Sequence, residues 1–119
     1  MAGDDYCYLT TTGRRSGRAH EIEIWYAPSL DGRTLYLLAG ARDASDWVRN
    51  LVADPACAVR VGARDAPVEA ARARILTAAD AEDPIARSSV FDKYQPRQGG
   101  DLSDWRTRSL AVALDLEGA

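Results

Sequence analysis

Histidine, cysteine and methionine are almost missing from this chain, whose 119 residues hold one histidine, two cysteines and one methionine. A serine or cysteine nucleophile needs a base within reach, so with His20 as the sole imidazole, hydrolytic machinery is thin. His20 lies in phase with Ile22 and Ile24, the pattern of a residue on an inward strand face rather than of a catalytic base. No pair of His, Cys, Asp or Glu has metal-ligand spacing, and Asp4-Asp5 and Glu82-Asp83 are more simply solvated acid pairs. Cys7 and Cys57 sit singly in apolar, strand-like segments, where buried free thiols are expected. No apolar run approaches the ~20 residues of a membrane-spanning helix. A broad basic face is also missing: the net charge is -3, which argues against a nucleic-acid partner. The start Met1-Ala2-Gly3-Asp4-Asp5 has neither the basic region nor the apolar core of a secretion signal, so cytoplasmic residence is the expectation.

What is present is a chain 46% hydrophobic, enough for one sizeable core and one domain over residues 1–119. Tyr6 to Thr12 is rich in aromatic and β-branched residues, and His20 to Tyr26 alternates His20, Ile22, Ile24, Tyr26 against Glu21, Glu23, Trp25. Asp31-Gly32 forms a hairpin tip before a third, more buried strand at Thr34 to Ala39. Over residues 43 to 53 the period changes: Trp47 pairs with Leu51 and Val48 with Val52, which predicts a short amphipathic helix ending before Pro55. Cys57, Val59 and Val61 mark a fourth strand. Val68 to Leu76 stays open between helix, favoured by its alanines, and strand. A helix starts near Asp83-Pro84 with Ala86, Val90 and Tyr94 on one face, and Leu110 to Leu116 alternates as a half-buried strand. About six strands and two short helices predict a mainly β fold, a closed or nearly closed barrel.

Between the first two strands, Thr11-Thr12-Gly13-Arg14-Arg15-Ser16-Gly17-Arg18 gathers three guanidinium groups and two glycines. Such a turn is an anion receptor: glycine lets backbone amides face a ligand, and arginine offers a planar fork suited to phosphate or carboxylate. It is not a phosphate loop of the Gly-Lys-Ser type, nor a dinucleotide fingerprint, because a strand rather than a long helix follows. Scarce acid-base residues beside an anion receptor fit chemistry carried by a bound cofactor, where the protein binds and orients.

Leu9 to Arg18 resembles the first signature of the deazaflavin (F420)-dependent nitroreductase and F420-dependent quinone reductase family. Leu38-Ala39-Gly40-Ala41-Arg42 resembles its post-strand loop, Asp46-Trp47-Val48-Arg49-Asn50-Leu51 its Trp-x-x-Asn-Leu helix, and Ala53-Asp54-Pro55 the turn that follows. Lys93-Tyr94-Gln95 and Asp101 to Trp105 resemble its aromatic helix and final loop. The resemblance implies a split β-barrel of the FMN-binding type, forming a homodimer, and a strand at Val68 to Leu76. It implies hydride transfer from reduced coenzyme F420 to a quinone, a nitroaromatic compound or a similar electron-poor acceptor, with no dedicated catalytic side chain. Thr12, Gly13, Arg14, Arg15, Ser16 and Gly17 would meet the phosphate and acidic tail. Ala39, Gly40, Ala41 and Arg42 would lie beside the deazaflavin, and Trp47 and Asn50 match the family's helical pair. Phe91, Tyr94 and Trp105 would line the acceptor pocket. The chain begins almost at its first strand, without the N-terminal helix with which longer relatives cover substrate or touch a membrane, so peripheral membrane contact stays open. Ala19 replaces a common proline, and Gly40-Ala41-Arg42 is less basic and less glycine-rich than in many relatives. An FMN-dependent reductase or oxidase on the same barrel is one alternative, since an arginine turn also holds a ribityl phosphate. A non-catalytic F420-binding carrier is another.

Overall fold

In the computed structural model, which describes residues 5–118, seven antiparallel strands form one sheet. They are β1 (Cys7–Thr12), β2 (Ala19–Ile24), β3 (Ala27–Pro28), β4 (Thr34–Ala39), β5 (Ala56–Val61), β6 (Glu69–Ile75) and β7 (Leu110–Leu116). Three α-helices accompany them: α1 (Asp46–Ala53), α2 (Glu82–Tyr94) and α3 (Ser103–Arg108). Most of the start, Met1 to Asp4, lies outside the described residues, and with it the Asp4 half of the Asp4-Asp5 pair.

The strand order β2-β1-β5-β6-β7-β4-β3 puts β2 and β3 at opposite edges, yet only Trp25 and Tyr26 separate them in the chain. In a flat sheet six inter-strand steps would hold those edges roughly 29 Å apart. The link from Ile24 to Ala27 spans at most about 11 Å. The sheet must therefore curl until its edges meet, and Trp25-Tyr26 is the seam. The inner face of the curl carries Cys7, Leu9, Leu35, Leu37, Val59, Val112 and Leu114, with Val48 and Leu51 of α1 closing one end.

The outer face is covered as well. Ala86, Val90 and Tyr94, one face of α2, pack on Tyr36, Leu38, Ala111 and Ala113. Alanine at 111 and 113 keeps the outer surface of β7 low enough for a helix to approach. β7 is consequently buried on both faces, where its alternation alone predicts a half-buried strand. The stretch left open between helix and strand is β6. It pairs with β5 on one side and β7 on the other, so two ladders of backbone hydrogen bonds outweigh the helical preference of its alanines.

Arg74 staples three of these elements. It donates to Asp115 of β7 (2.6 and 2.9 Å) and to Glu82 of α2 (2.8 and 3.2 Å), and the Tyr36 hydroxyl of β4 donates to Glu82 at 2.8 Å. Arg74, then Tyr36, holds the Glu82 carboxyl below its ordinary range, and Arg74 does the same for Asp115. Carboxylates depressed in the fold stabilise it fully above their unfolded values, near pH 4, and lose that contribution as pH falls through the lower folded values. Because the network is partly exposed, solvent screening reduces its worth. Arg74→Gln is expected to lower stability at pH 7 by about 1 kcal/mol and to flatten the acid limb of a melting-temperature profile; an acid limb as steep as the parent's would remove this assignment.

Candidate cofactor cleft

The arginine turn is built by its glycines. Gly17 adopts φ 71°, a left-handed conformation that favours glycine, and its amide donates to the Gly13 carbonyl at 2.8 Å. A Cβ at Gly13 would lie 2.5 Å from Ser16 Oγ and 2.7 Å from His20 Nε2, so the missing side chain at 13 is what lets those two groups fold over the turn. Ser16 Oγ also accepts from the Arg18 amide at 3.1 Å.

Asn50 ties the turn to α1. Its Oδ1 accepts from the Arg14 amide (3.2 Å) and from Arg14 Nη1 (2.9 Å), while its Nδ2 donates to Thr11 Oγ1 at 3.1 Å. Asn50 is 5% exposed. Arg14 Nη2 pairs with Asp46 Oδ1 at 3.2 Å. The Arg14 fork is thus turned onto α1, whereas the Arg15 and Arg18 side chains, both in exposed residues, carry no partner among the described residues.

Between turn and helix lies a cleft of about 420 Å³, lined by Thr11, Gly13, Arg14, Arg15, Ser16, His20, Glu21, Ile22, Asp46, Trp47 and Asn50. Gly13, Arg14, Arg15, Ser16, Trp47 and Asn50, all expected at the cofactor, come together here. His20 shares the face of Ile22 but is exposed rather than buried, with Nε2 3.4 Å from Ser16 Oγ. The inward direction of β2 leads into the core at Ile22 and Ile24, but at this end of the strand it leads into the open mouth of the curl. Thr11, rather than its neighbour Thr12, supplies the buried hydroxyl. Asp46 and Asn50 share one side of α1 at i, i+4, a spacing that could have linked Asp46 to the turn.

The post-strand loop is not among the residues that line this cleft. Ala39 is buried at the end of β4 and Gly40 and Ala41 are exposed, and a Cβ on Gly40 would sit 3.4 Å from Trp105 Nε1. Arg42, at φ 54°, donates to the carbonyls of Arg108 (2.7 Å) and Ser109 (3.2 Å), so its charge is spent at the C-terminal end of α3. α3 occupies the stretch read from sequence as a loop. Trp105 meets Trp25 edge-on (5.6 Å, 89°), and Trp25 stacks on Tyr94 (4.3 Å, 5°). Tyr94 itself is 2% exposed, and its hydroxyl accepts from the Tyr26 amide at 3.0 Å and reaches the Asp5 carbonyl at 2.6 Å. It is a core residue locking the seam, not a wall of the cleft. Phe91 is half-buried beneath the Arg106 guanidinium, 4.9 Å from the ring centroid. Burial pushes the Cys7 thiol up to about 12 and the Cys57 thiol to about 11, which disfavours the thiolate at neutral pH.

Residues 1–112 match the family described as F420H(2)-dependent quinone reductase. The chain belongs to that family. It is accordingly an F420-dependent oxidoreductase, and its cofactor is coenzyme F420. No curated protein matches it. Solved structures share the fold at low identity. An F420-H2 dependent reductase, FDR-A, is 19% identical over 92% of this chain and 93% of its own, with a TM-score of 0.71. An FAD-binding protein from Mesorhizobium loti is 17% identical over 98% and 83%, with a TM-score of 0.66. A structure described as a domain-swapped dimer is 19% identical over 92% and 79%, with a TM-score of 0.70. The curled sheet is the FMN-binding split barrel. The donor set of the cleft fits an acidic cofactor: Arg15 offers a fork with no partner among the described residues, and Trp47 gives a half-buried apolar wall beside it. Among the described residues no helix is long and apolar enough to cross a membrane.

Proposed function

We propose that this protein reduces quinones or nitro-substituted aromatic rings, with reduced coenzyme F420 supplying the hydride. The observation that carries this reading is the cleft between the arginine turn and α1, where an exposed guanidinium, a tryptophan face and a helix are assembled by one asparagine. Arg15 binds the phosphate or acidic tail directly, with Thr12, Gly13, Ser16 and Gly17 shaping the turn around it. Arg14 and Asn50 position the turn, and Trp47 covers the cofactor. Ala39, Gly40, Ala41 and Arg42 border the ring. Of the three aromatic residues expected at the acceptor, Trp105 is assigned to touch it, on the ground that it stands against Gly40, whereas Tyr94 is buried behind Trp25 and Phe91 lies beneath Arg106. The acceptor's proton comes from solvent or from a side chain at the mouth. The working form is a single-domain chain in a homodimer, resident in the cytoplasm.

Titration of the purified protein with F420 and with FMN, followed by oxidation of reduced F420 with menadione, tests the reading. Tight F420 binding with turnover supports it, preference for FMN overturns it, and binding without turnover over several acceptors marks a carrier. Arg15→Ala is expected to weaken F420 binding by about 1.5–3 kcal/mol without changing the melting temperature. Unchanged affinity would remove Arg15 from the site.

A further inference from the structure

The cleft is less positive than its arginines imply. Arg14 and Arg15 face Asp46 and Glu21 across the same space. Glu21 is drawn away by Arg64, which meets its Oε1 at 2.7 Å, but Asp46 points its carboxylate at the Arg14 fork. The two partners differ in exposure: the Arg14 side chain is 24% exposed and that of Asp46 is 86%. Arg14 keeps its place through Asn50, which takes both its amide and Nη1. Asp46 is therefore the replaceable member of the pair. It is not needed to orient the guanidinium, and it occupies the donor an incoming anion would use.

We propose that Asp46 is a resident counter-anion that sets the cleft's affinity for its acidic ligand by competing with it for Arg14 Nη2. The inference rests on the reading of the cleft as the anion-binding part of the F420 site. A phosphate or carboxylate that reaches Arg14 displaces Asp46 into solvent, and one that does not is left with Arg15 alone. Asp46 thus favours ligands carrying several negative charges over those with a single one, since only the former engage Arg15 and still compete for Arg14.

Asp46→Asn keeps the shape and removes the competing charge. Its dissociation constants for F420 and for inorganic pyrophosphate are expected to fall roughly fivefold. Its melting temperature is expected to drop slightly, because Asp46 stands in the first turn of α1, where a negative charge is favourable. Affinity and stability moving in opposite directions is not what a merely structural residue produces. Asp43→Asn, one turn away and without contact to Arg14, controls for net charge, and Arg14→Ala combined with Asp46→Asn should show no gain. Unchanged or weaker binding of both ligands in Asp46→Asn, or an equal gain in Asp43→Asn, overturns the inference. Tighter pyrophosphate binding in a protein that ignores F420 overturns the functional reading and keeps this one.

Discussion

Tyr94→Ala is expected to lose about 4 kcal/mol of stability. The ring fills a fully packed site beneath α2, stacks on Trp25 at 4.3 Å, and places its hydroxyl on the backbone of Tyr26. That backbone is the seam where the sheet closes. Truncation leaves a cavity, frees Trp25, and strips the Tyr26 amide of its acceptor at once. Tyr94→Phe separates these contributions: the cavity stays filled, and only the hydroxyl's hydrogen bonds go, for a loss of about 1–3 kcal/mol. Denaturant unfolding of both variants measures the difference. The Phe variant also decides between two roles for this residue. Burial pushes the Tyr94 phenol up to about 12, so it holds its proton at neutral pH and donates to the backbone. Folded Tyr94→Phe is expected to retain kcat/KM for menadione; a fall in kcat of the folded variant would return Tyr94 to the acceptor site.

Tyr94 also illustrates what the sequence makes readable. Its face was legible, because Ala86, Val90 and Tyr94 recur at helical spacing and all three are buried. Its partner was not, since the seam joins the first hairpin to a helix 68 residues away. The same division runs through the chain. Period revealed β5, α1 and α2, each of which buries one stripe, whereas β1 and β4, buried on both faces, were legible from their aromatic and β-branched or continuously apolar residues. It misjudged β7, whose second face is covered by a distant helix, and it could not decide β6, whose identity lies in two neighbouring ladders. In the cleft, the turn and the Trp47–Asn50 pair were legible as motifs. Their connection through Thr11 and Asp46 was not, because it depends on which end of a curled sheet α1 closes. His20 followed the inward phase of its strand faithfully and still reached solvent, because phase carries no information about where the core stops.

Asn50→Ala is expected to lower stability by about 2–3 kcal/mol and, in the fraction that folds, to weaken F420 binding at least tenfold. Three hydrogen bonds converge on this buried amide, from the Arg14 amide, from Arg14 Nη1 and to Thr11 Oγ1. Alanine leaves the buried Thr11 hydroxyl and the Arg14 amide without their partner, and the turn loses its link to the side of α1. Asn50→Asp distinguishes loss of the link from loss of binding. An aspartate accepts from Arg14 as the amide does, and the Thr11 hydroxyl, donor as well as acceptor, turns to donate to its second oxygen. The aspartate variant should therefore melt close to the parent at neutral pH. Yet it places a second carboxylate on the Arg14 fork beside Asp46, and binding of an acidic cofactor should fall as it does in Asn50→Ala. Melting curves and F420 titrations of the two variants read these effects separately. If Asn50→Asp bound F420 as tightly as the parent, charge at the Arg14 fork would have no bearing on the cofactor, and Asn50 would be a structural clamp alone.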